Sequence, residues 1–312
     1  MIINTGGRTD TVQYYSEWLL NRFKEGFVYV RNPLFEEKVS RYELDPKKVD
    51  CVVFCSKNYE PILDRLNEIT GRFNTYFFYT ITAYGKDIEP GVPGIDKSID
   101  TLLKLEKLVG KEKIAWRYDP VLLTKKYTIQ QHLITFAHMA ARLCHPIDRC
   151  IFSFVEYYRK VQFNMPELLM LSEEDMQELA KGFATIAQKY NFRLQSCATN
   201  QDFSSYGILG PGCIKLSTIA QANDADFKDL KHKGMWHGCT CMSSHDIGAY
   251  NSCPNGCKYC YANQSAEEAV KNYKSHEPSS PILLGSISEK DIVTQSHQVS
   301  FLKATERQLP LF

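Results

Sequence analysis

Three cysteines, Cys253, Cys257 and Cys260, fall within the string "SCPNGCKYCYAN" (252–263), with Tyr259 and Tyr261 on either side of the last of them. Thiols at spacings of four and three residues converge on one centre only if the loop wraps round it. Pro254, Asn255 and Gly256 suit that wrap, because glycine tolerates positive φ and asparagine often does. Zinc and an iron–sulfur cluster compete for such a group. Zinc takes four ligands and would recruit His245, Cys241 or Cys239. A four-iron cluster held by only three thiolates keeps one iron without a protein ligand, open to the amine and carboxylate of a small molecule. Structural zinc sites more often use two separated Cys-x-x-Cys knuckles, and the chain has no second such pair, so the spacing favours iron–sulfur.

The chain carries eleven cysteines, and seven of them lie between 197 and 260. In a reducing compartment they are not expected to form disulfides. Cys51, Cys144 and Cys150 stand among apolar residues and read as small buried hydrophobes. Cys55 ends a strand-like run. Cys197, Cys213, Cys239 and Cys241 lie in or beside glycine-rich stretches, with His237 and His245 flanking them. A second metal centre, iron–sulfur or zinc, and plain loop or buried residues are both open there.

These groups need a scaffold. Apolar runs that read as strands alternate with amphipathic helical stretches through residue 200. The strands are "MIINTG" (1–6), "DCVVFC" (50–55), "TYFFYTIT" (75–82), "KIAWRYDPV" (113–121), "CIFSFVEYY" (150–158) and "FRLQSCAT" (192–199), with "FVYVRNP" (27–33) as an accessory strand. Helices are expected over 14–25, 59–70, 95–108, 129–144 and 172–190, where apolar residues recur at helical spacing. Near-continuous apolar strands separated by helices indicate a parallel sheet with helices outside. Six repeats predict an α/β fold, a closed or partly open TIM-like (β/α)6 barrel over residues 1–200, whose chemistry belongs at the C-terminal strand ends. Residues 201–312 form a Cys-rich region expected to pack on the barrel mouth, with a helix over 263–276 and a short strand at "SPILLGSI".

The strand ends offer polar groups for a pocket: Gly6, Gly7, Arg8 and Asp10; Ser56, Lys57 and Asn58; Tyr84, Lys86 and Asp87; Arg117 and Asp119; Glu156 and Tyr157; and Asn200. Arg8, Asp10, Lys57, Arg117 and Asp119 are the charges expected inside it, since a charge on an apolar strand is costly to bury unpaired. Arg117 and Asp119 lie on the same side of a strand by its period of two, and so offer each other a partner. Asp10 and Ser56 are equally suited to capping helices. "TGGR" has neither P-loop nor dinucleotide-binding spacing.

The wider string "CPNGCKYCYAN" resembles the cluster motif of the radical S-adenosylmethionine (SAM) superfamily, and its Tyr-Cys-Tyr-Ala element is similar to that of spore photoproduct lyase-like members. Nearly the whole chain also resembles a bacterial family catalogued as domain of unknown function family 1848, through "RTDTVQYYSEW", "FVYVRNP", "ITAYGKDIEPGVP", "WRYDPVLLT", "DIGAYNSCPNGCKYCYAN" and "SPILLGSI". The resemblance implies that Cys253, Cys257 and Cys260 hold a [4Fe–4S] cluster whose free iron chelates SAM. One electron, from a donor such as flavodoxin or ferredoxin, would then break the sulfonium C–S bond and start radical chemistry on an unassigned substrate. Tyr259 and Tyr261 would pack against the cluster or the adenine. In the superfamily the cysteine loop follows the first strand. Here it lies near residue 255, which implies a rearranged barrel of the kind a circular permutation gives, with Gly6, Gly7, Arg8 and Asp10 turned toward the methionine amine. Cys197, Cys213, Cys239 and Cys241 would then carry an auxiliary cluster or zinc, and Arg117, Asp119 and Lys57 would serve the substrate.

Composition bounds the alternatives. The 312 residues hold 37 Lys plus Arg against 36 Asp plus Glu, so no global field draws the chain to nucleic acid or anionic membrane. No apolar run approaches the ~20 residues that span a bilayer. The N-terminus lacks the pattern of a signal peptide, and a cytoplasmic location is the expectation. The basic stretch 228–233 reads as a solvated face because aspartates lie among and beside its lysines. The competing reading is a non-catalytic binding protein stabilised by zinc or iron–sulfur, with nucleic acid as a conceivable but electrostatically unsupported partner.

Overall fold

A computed structural model describes residues 1–228 and 240–303. Among these residues, ten strands form two sheets. They are β1 (Ile2–Asn4), β2 (Phe27–Arg31), β3 (Lys38–Glu43), β4 (Cys51–Ser56), β5 (Thr75–Thr80), β6 (Ile114–Val121), β7 (Arg149–Phe154), β8 (Arg193–Ser196), β9 (Ser244–Asp246) and β10 (Ile292–Gln295). The main sheet has seven strands in the order β8-β7-β6-β5-β4-β1-β9, all paired in parallel. β10, β3 and β2 form a small mixed sheet.

β5 (TYFFYT) and β7 (RCIFSF) are buried at every residue, as expected of parallel strands covered on both faces. Alternate side chains divide between two cores. Val52, Phe54, Phe77, Tyr79, Trp116 and Phe152 join the larger one. Helices Ser16–Glu25, Ile95–Val109, Ile129–Leu143 and Glu173–Lys189 pack their apolar stripes there, through Trp18, Leu102, Phe136 and Phe183 among others. Val53, Phe78, Ala115 and Ile151 face the other way, into a smaller cluster that includes Cys197, Cys213, Ile219 and Cys241. The long helices thus lie on one face, and the segment after β8 covers the other.

The alternation of strands and helices is as expected, but the closed barrel is not found. β8 ends the strand order on one side and β9 on the other, so the sheet stays open. The stretch after β8 is rich in Gly, Ser and Cys, and of its described residues the three of β9 form a strand of the main sheet while Leu209 makes a single bridge to Gln195 of β8. The expected helix over 14–25 breaks at Tyr15 into Thr11–Tyr14 and Ser16–Glu25. The one over 59–70 is a 3-10 turn, Glu60–Arg65, with Pro61 in its first turn, followed by Asn67–Thr70. "SPILLGSI" makes only a single bridge, Ile282 with Tyr29. Cys239 and His237 lie outside the described residues, as does 228–233 beyond its first residue.

Candidate functional site

The strands end at a cavity of about 620 Å³, lined by Asn4, Cys55, Thr80, Asp119, Ser153 and Asp246 from six different strands, together with residues of the loops that follow. Two groups of thiols meet there. Cys257 and Cys260 come from the motif loop, and Cys197, Cys213 and Cys241 come from the segment over the smaller core. Cys253 stands outside the cavity wall.

The motif loop is fixed by contacts from two segments of the first third of the chain. Gly256 turns at φ +66°, a conformation glycine adopts without penalty. Tyr14 Oη donates to Asn255 Oδ1 at 3.0 Å, and Tyr15 Oη donates to the Ser252 carbonyl. From the loop between β5 and helix Ile95–Val109, Gly91 N–H donates to the Asn255 carbonyl at 2.8 Å, and the Ile88 carbonyl accepts from Lys258 N–H at 3.1 Å. A Cβ at Gly91 would stand 2.7 Å from Asn255 Cα, so only glycine lets the two loops approach this closely. The sulfurs receive donors as well. Ala262 N–H points at Cys260 Sγ at 3.3 Å, and the N–H groups of Asn255 and Asp10 serve Cys253. Burial, with Asp10 nearby, still pushes the Cys253 thiol up to about 12. Burial and then Glu89 push Cys257 up, with Lys57 opposing.

The Gly6–Gly7 turn adjoins this loop. Tyr261 Oη donates to the Gly7 carbonyl. A Cβ at Gly6 would lie 2.0 Å from the Cys55 carbonyl oxygen, and one at Gly7 would lie 2.6 Å from Asp246 Oδ2. Asp246 accepts from the N–H groups of Gly7 and Gly248. Its carboxyl is raised by burial, against the lowering pull of Arg8.

Among the described residues, Cys197, Cys213 and Cys241 form the one group of three ligand residues whose donor atoms all lie within 4.8 Å of one another. Cys213 Sγ and Cys241 Sγ are 3.3 Å apart. The three thiols share their protons unequally. Hydrogen bonds from Cys213 and then Cys241, with Arg117 assisting, hold Cys197 well below the ordinary thiol range. The same bonding keeps Cys213 raised.

Arg117 and Asp119 are ion-paired on the cavity wall. Arg117 Nη1 also points at Cys55 Sγ at 3.6 Å, and Ser153 Oγ donates to Asp119. Arg8 and Glu156 line the cavity as well, with Arg8 5.5 Å from the centre of the Tyr250 ring. Lys57 and Asp10 do not reach the wall. Asp10 caps helix Thr11–Tyr14, accepting from Gln13 N–H, Ser56 Oγ and Lys57 N–H. Lys57 Nζ pairs with buried Glu89 at 2.9 Å. The same carboxylate oxygen accepts from Thr82 Oγ1 at 2.9 Å and from Tyr259 Oη. Tyr259 thereby ties the motif to a buried charge pair. Lys86 and Asp87 turn to local partners, the Pro90 carbonyl and Lys126.

Glu89, Asp246, Cys55 and Ser153 belong to this site although the sequence reading did not single them out as its groups. Cys55 was visible only as a strand end. Glu89 sits in a loop with no periodicity, and Asp246 sits on a strand of three residues, too short for alternation to be read.

Fold and site define an open, parallel α/β protein whose strand ends carry clustered thiols able to hold a metal. The chain belongs to the family described as Domain of unknown function (DUF1848), whose sequence model matches residues 2–262. That span covers the whole main sheet and ends two residues past Cys260. None of the curated proteins matches the chain. Among the described residues, no helix is long and apolar enough to cross a membrane.

Proposed function

We propose that the protein is a radical SAM enzyme, with Cys253, Cys257 and Cys260 holding a [4Fe–4S] cluster and the cavity receiving SAM and a substrate. One observation carries this reading: the motif loop and the Gly6–Gly7 turn meet at one wall of a cavity formed by the ends of parallel strands. When bound, the cluster supplies the electron that cleaves the sulfonium C–S bond of SAM.

The residues fit that group. The motif thiols are not gathered within the 4.8 Å that marks the other triad, and a multi-iron cluster spreads its thiolates over separate irons where one ion would draw them together. Backbone N–H groups at Cys253 and Cys260 stabilise sulfur charge. Lys57 offsets some of it beside Cys257. The turn at Gly6–Gly7 and the Asp246 carboxylate supply a polar patch suited to an α-amino acid headgroup. Arg117, Asp119 and Ser153 line the cavity and would orient the substrate. A volume of about 620 Å³ lies in the range of small-molecule sites. In this reading the open sheet is a rearranged relative of the superfamily barrel, residues 1–200 supplying its strands apart from β9 and the described residues after 200 its cover. A small electron carrier of the flavodoxin or ferredoxin kind is the partner.

The test is anaerobic reconstitution with iron and sulfide, followed by reduction in the presence of SAM. The expected result is a brown protein that releases 5′-deoxyadenosine, with release lost in Cys257→Ser. A colourless zinc protein, or an iron protein that leaves SAM intact, would remove the reading and favour a metal-stabilised binding protein.

A further inference from the structure

We propose that Cys197, Cys213 and Cys241 form a separate site for a single tetrahedral divalent ion of the zinc class, with its fourth position open to the cavity. The inference does not depend on the reading of the Cys253 loop. Four sulfurs around one zinc at ≈ 2.3 Å stand about 3.8 Å apart along each tetrahedral edge. The three thiols gather at that scale, all within 4.8 Å, with Cys213 and Cys241 at 3.3 Å. A four-iron cube needs its thiolates farther apart, because each radiates from a different iron.

The site is built from three separated segments that the fold locks together. Cys197 directly follows β8, and its N–H donates to the Phe152 carbonyl at 2.9 Å. Gly212 turns at φ +108° immediately before Cys213, where a Cβ would press within 2.6 Å of Thr240 Oγ1. Met242 N–H donates to the Ile214 carbonyl at 2.9 Å and holds the Cys213 and Cys241 segments side by side. Ile214 N–H points at Cys241 Sγ at 3.5 Å, an amide donor to sulfur of the sort that supports thiolate ligands. Buried Gln195 donates to the Gly210 and Gly212 carbonyls at 3.0 and 2.9 Å and accepts from Arg149 at 3.1 Å, which pins the turn from below. All three cysteines are buried yet border the cavity. A dication with three thiolates carries one net negative charge, and Arg117 supplies a cation that acts on both Cys197 and Cys213. Binding exchanges the remaining thiol protons for the metal and involves no electron transfer. Closed structural zinc sites use four protein ligands, whereas an open fourth position takes water or a substrate donor. Here that position would admit a soft donor such as a thiol, in the same cavity as Cys257 and Cys260.

The experiment uses the full chain carrying Cys253→Ser, Cys257→Ser and Cys260→Ser, so that only the triad remains of the two thiol groups. Anaerobic titration with Co²⁺ should give one equivalent bound with the visible bands of a tetrahedral thiolate site. Those bands should shift on adding 2-mercaptoethanol. X-ray absorption of the zinc form should give three sulfurs and one lighter atom. Adding Cys213→Ser should abolish tight binding, and the absorption measurement stands even if that variant does not fold. Four sulfurs, as a Cys239 ligand would give, overturn the open position. Iron–iron scattering after iron loading, failure to bind an ion, or a Cys213–Cys241 disulfide that persists under excess reductant overturns the site.

Discussion

Replacing Glu89 with Gln isolates the charge that Tyr259 and Lys57 share. The amide keeps the carboxylate's shape, and its oxygen still accepts from Thr82 and Tyr259. What is lost is the counter-charge to Lys57. The Glu89 side chain is 3% exposed and that of Lys57 is 14% exposed, so water replaces little of the lost interaction. Breaking a buried ion pair by removing one partner costs about 3–5 kcal/mol. Residual exposure of Lys57 and its attraction to Asp119 place Glu89→Gln near the lower end, about 3 kcal/mol. Lys57→Met should cost a similar amount, since it strands the carboxylate instead. The double variant removes both charges and should cost about 2 kcal/mol less than the sum of the two singles, a coupling in the usual range for residues in one network. Urea unfolding of the metal-free, reduced protein, followed by tryptophan fluorescence, measures all four species. Additive singles, or a Glu89→Gln cost below about 1 kcal/mol, would refute the reasoning and make the pair a solvated contact of no consequence to the motif loop.

Other consequences are as direct. His132 is buried between Tyr118 Oη and the Leu122 carbonyl, and burial lowers it to about 4. The unfolded chain therefore binds its proton first, so stability should fall as pH drops from about 6.5 toward 4. That loss should be about 2 kcal/mol between pH 7 and pH 5, seen in urea midpoints and absent in His132→Gln, whose own stability should not carry this pH slope. Gly6→Ala forces a methyl into the Cys55 carbonyl and should cost about 3 kcal/mol, the upper end for overpacking; an unchanged urea midpoint would contradict it. Phe136, stacked on Trp116 at 4.8 Å and fully buried, should cost about 3–5 kcal/mol as Phe136→Ala while leaving the metal content of the folded protein unchanged by elemental analysis.

The parallel sheet is legible because its strands are apolar on both faces, and the aromatic and β-branched runs "TYFFYT" and "CIFSF" alternate with longer amphipathic helical stretches. The pairing of Arg117 with Asp119 followed from the two-residue period of a strand. The closure of the sheet was not legible, since closure depends on where the last strand pairs, and β9 is three residues in a glycine- and serine-rich stretch. β3 and β10 escape the pattern because "KVSRYE" has one fully buried residue and "IVTQ" has none, so neither shows the apolar alternation of a strand. The cysteine spacing pointed to the motif loop without revealing that Tyr259 reaches Glu89 across 170 positions. Likewise, composition marks Cys197, Cys213, Cys239 and Cys241 alike as candidates, but the gathering of Cys197, Cys213 and Cys241 within 4.8 Å is a property of the fold. Lys57 reads as a cavity group because it follows a strand end, yet Glu89, which claims it, sits in a loop that carries no period.

Electron–nuclear double resonance on the reduced, iron-loaded protein with SAM labelled by ¹⁵N and ¹⁷O in its methionine moiety tests the central proposal most directly. The account predicts hyperfine coupling of both labels to the cluster, lost in Cys257→Ser. A reduced cluster with no coupling to either label, its every iron held by protein, would contradict it.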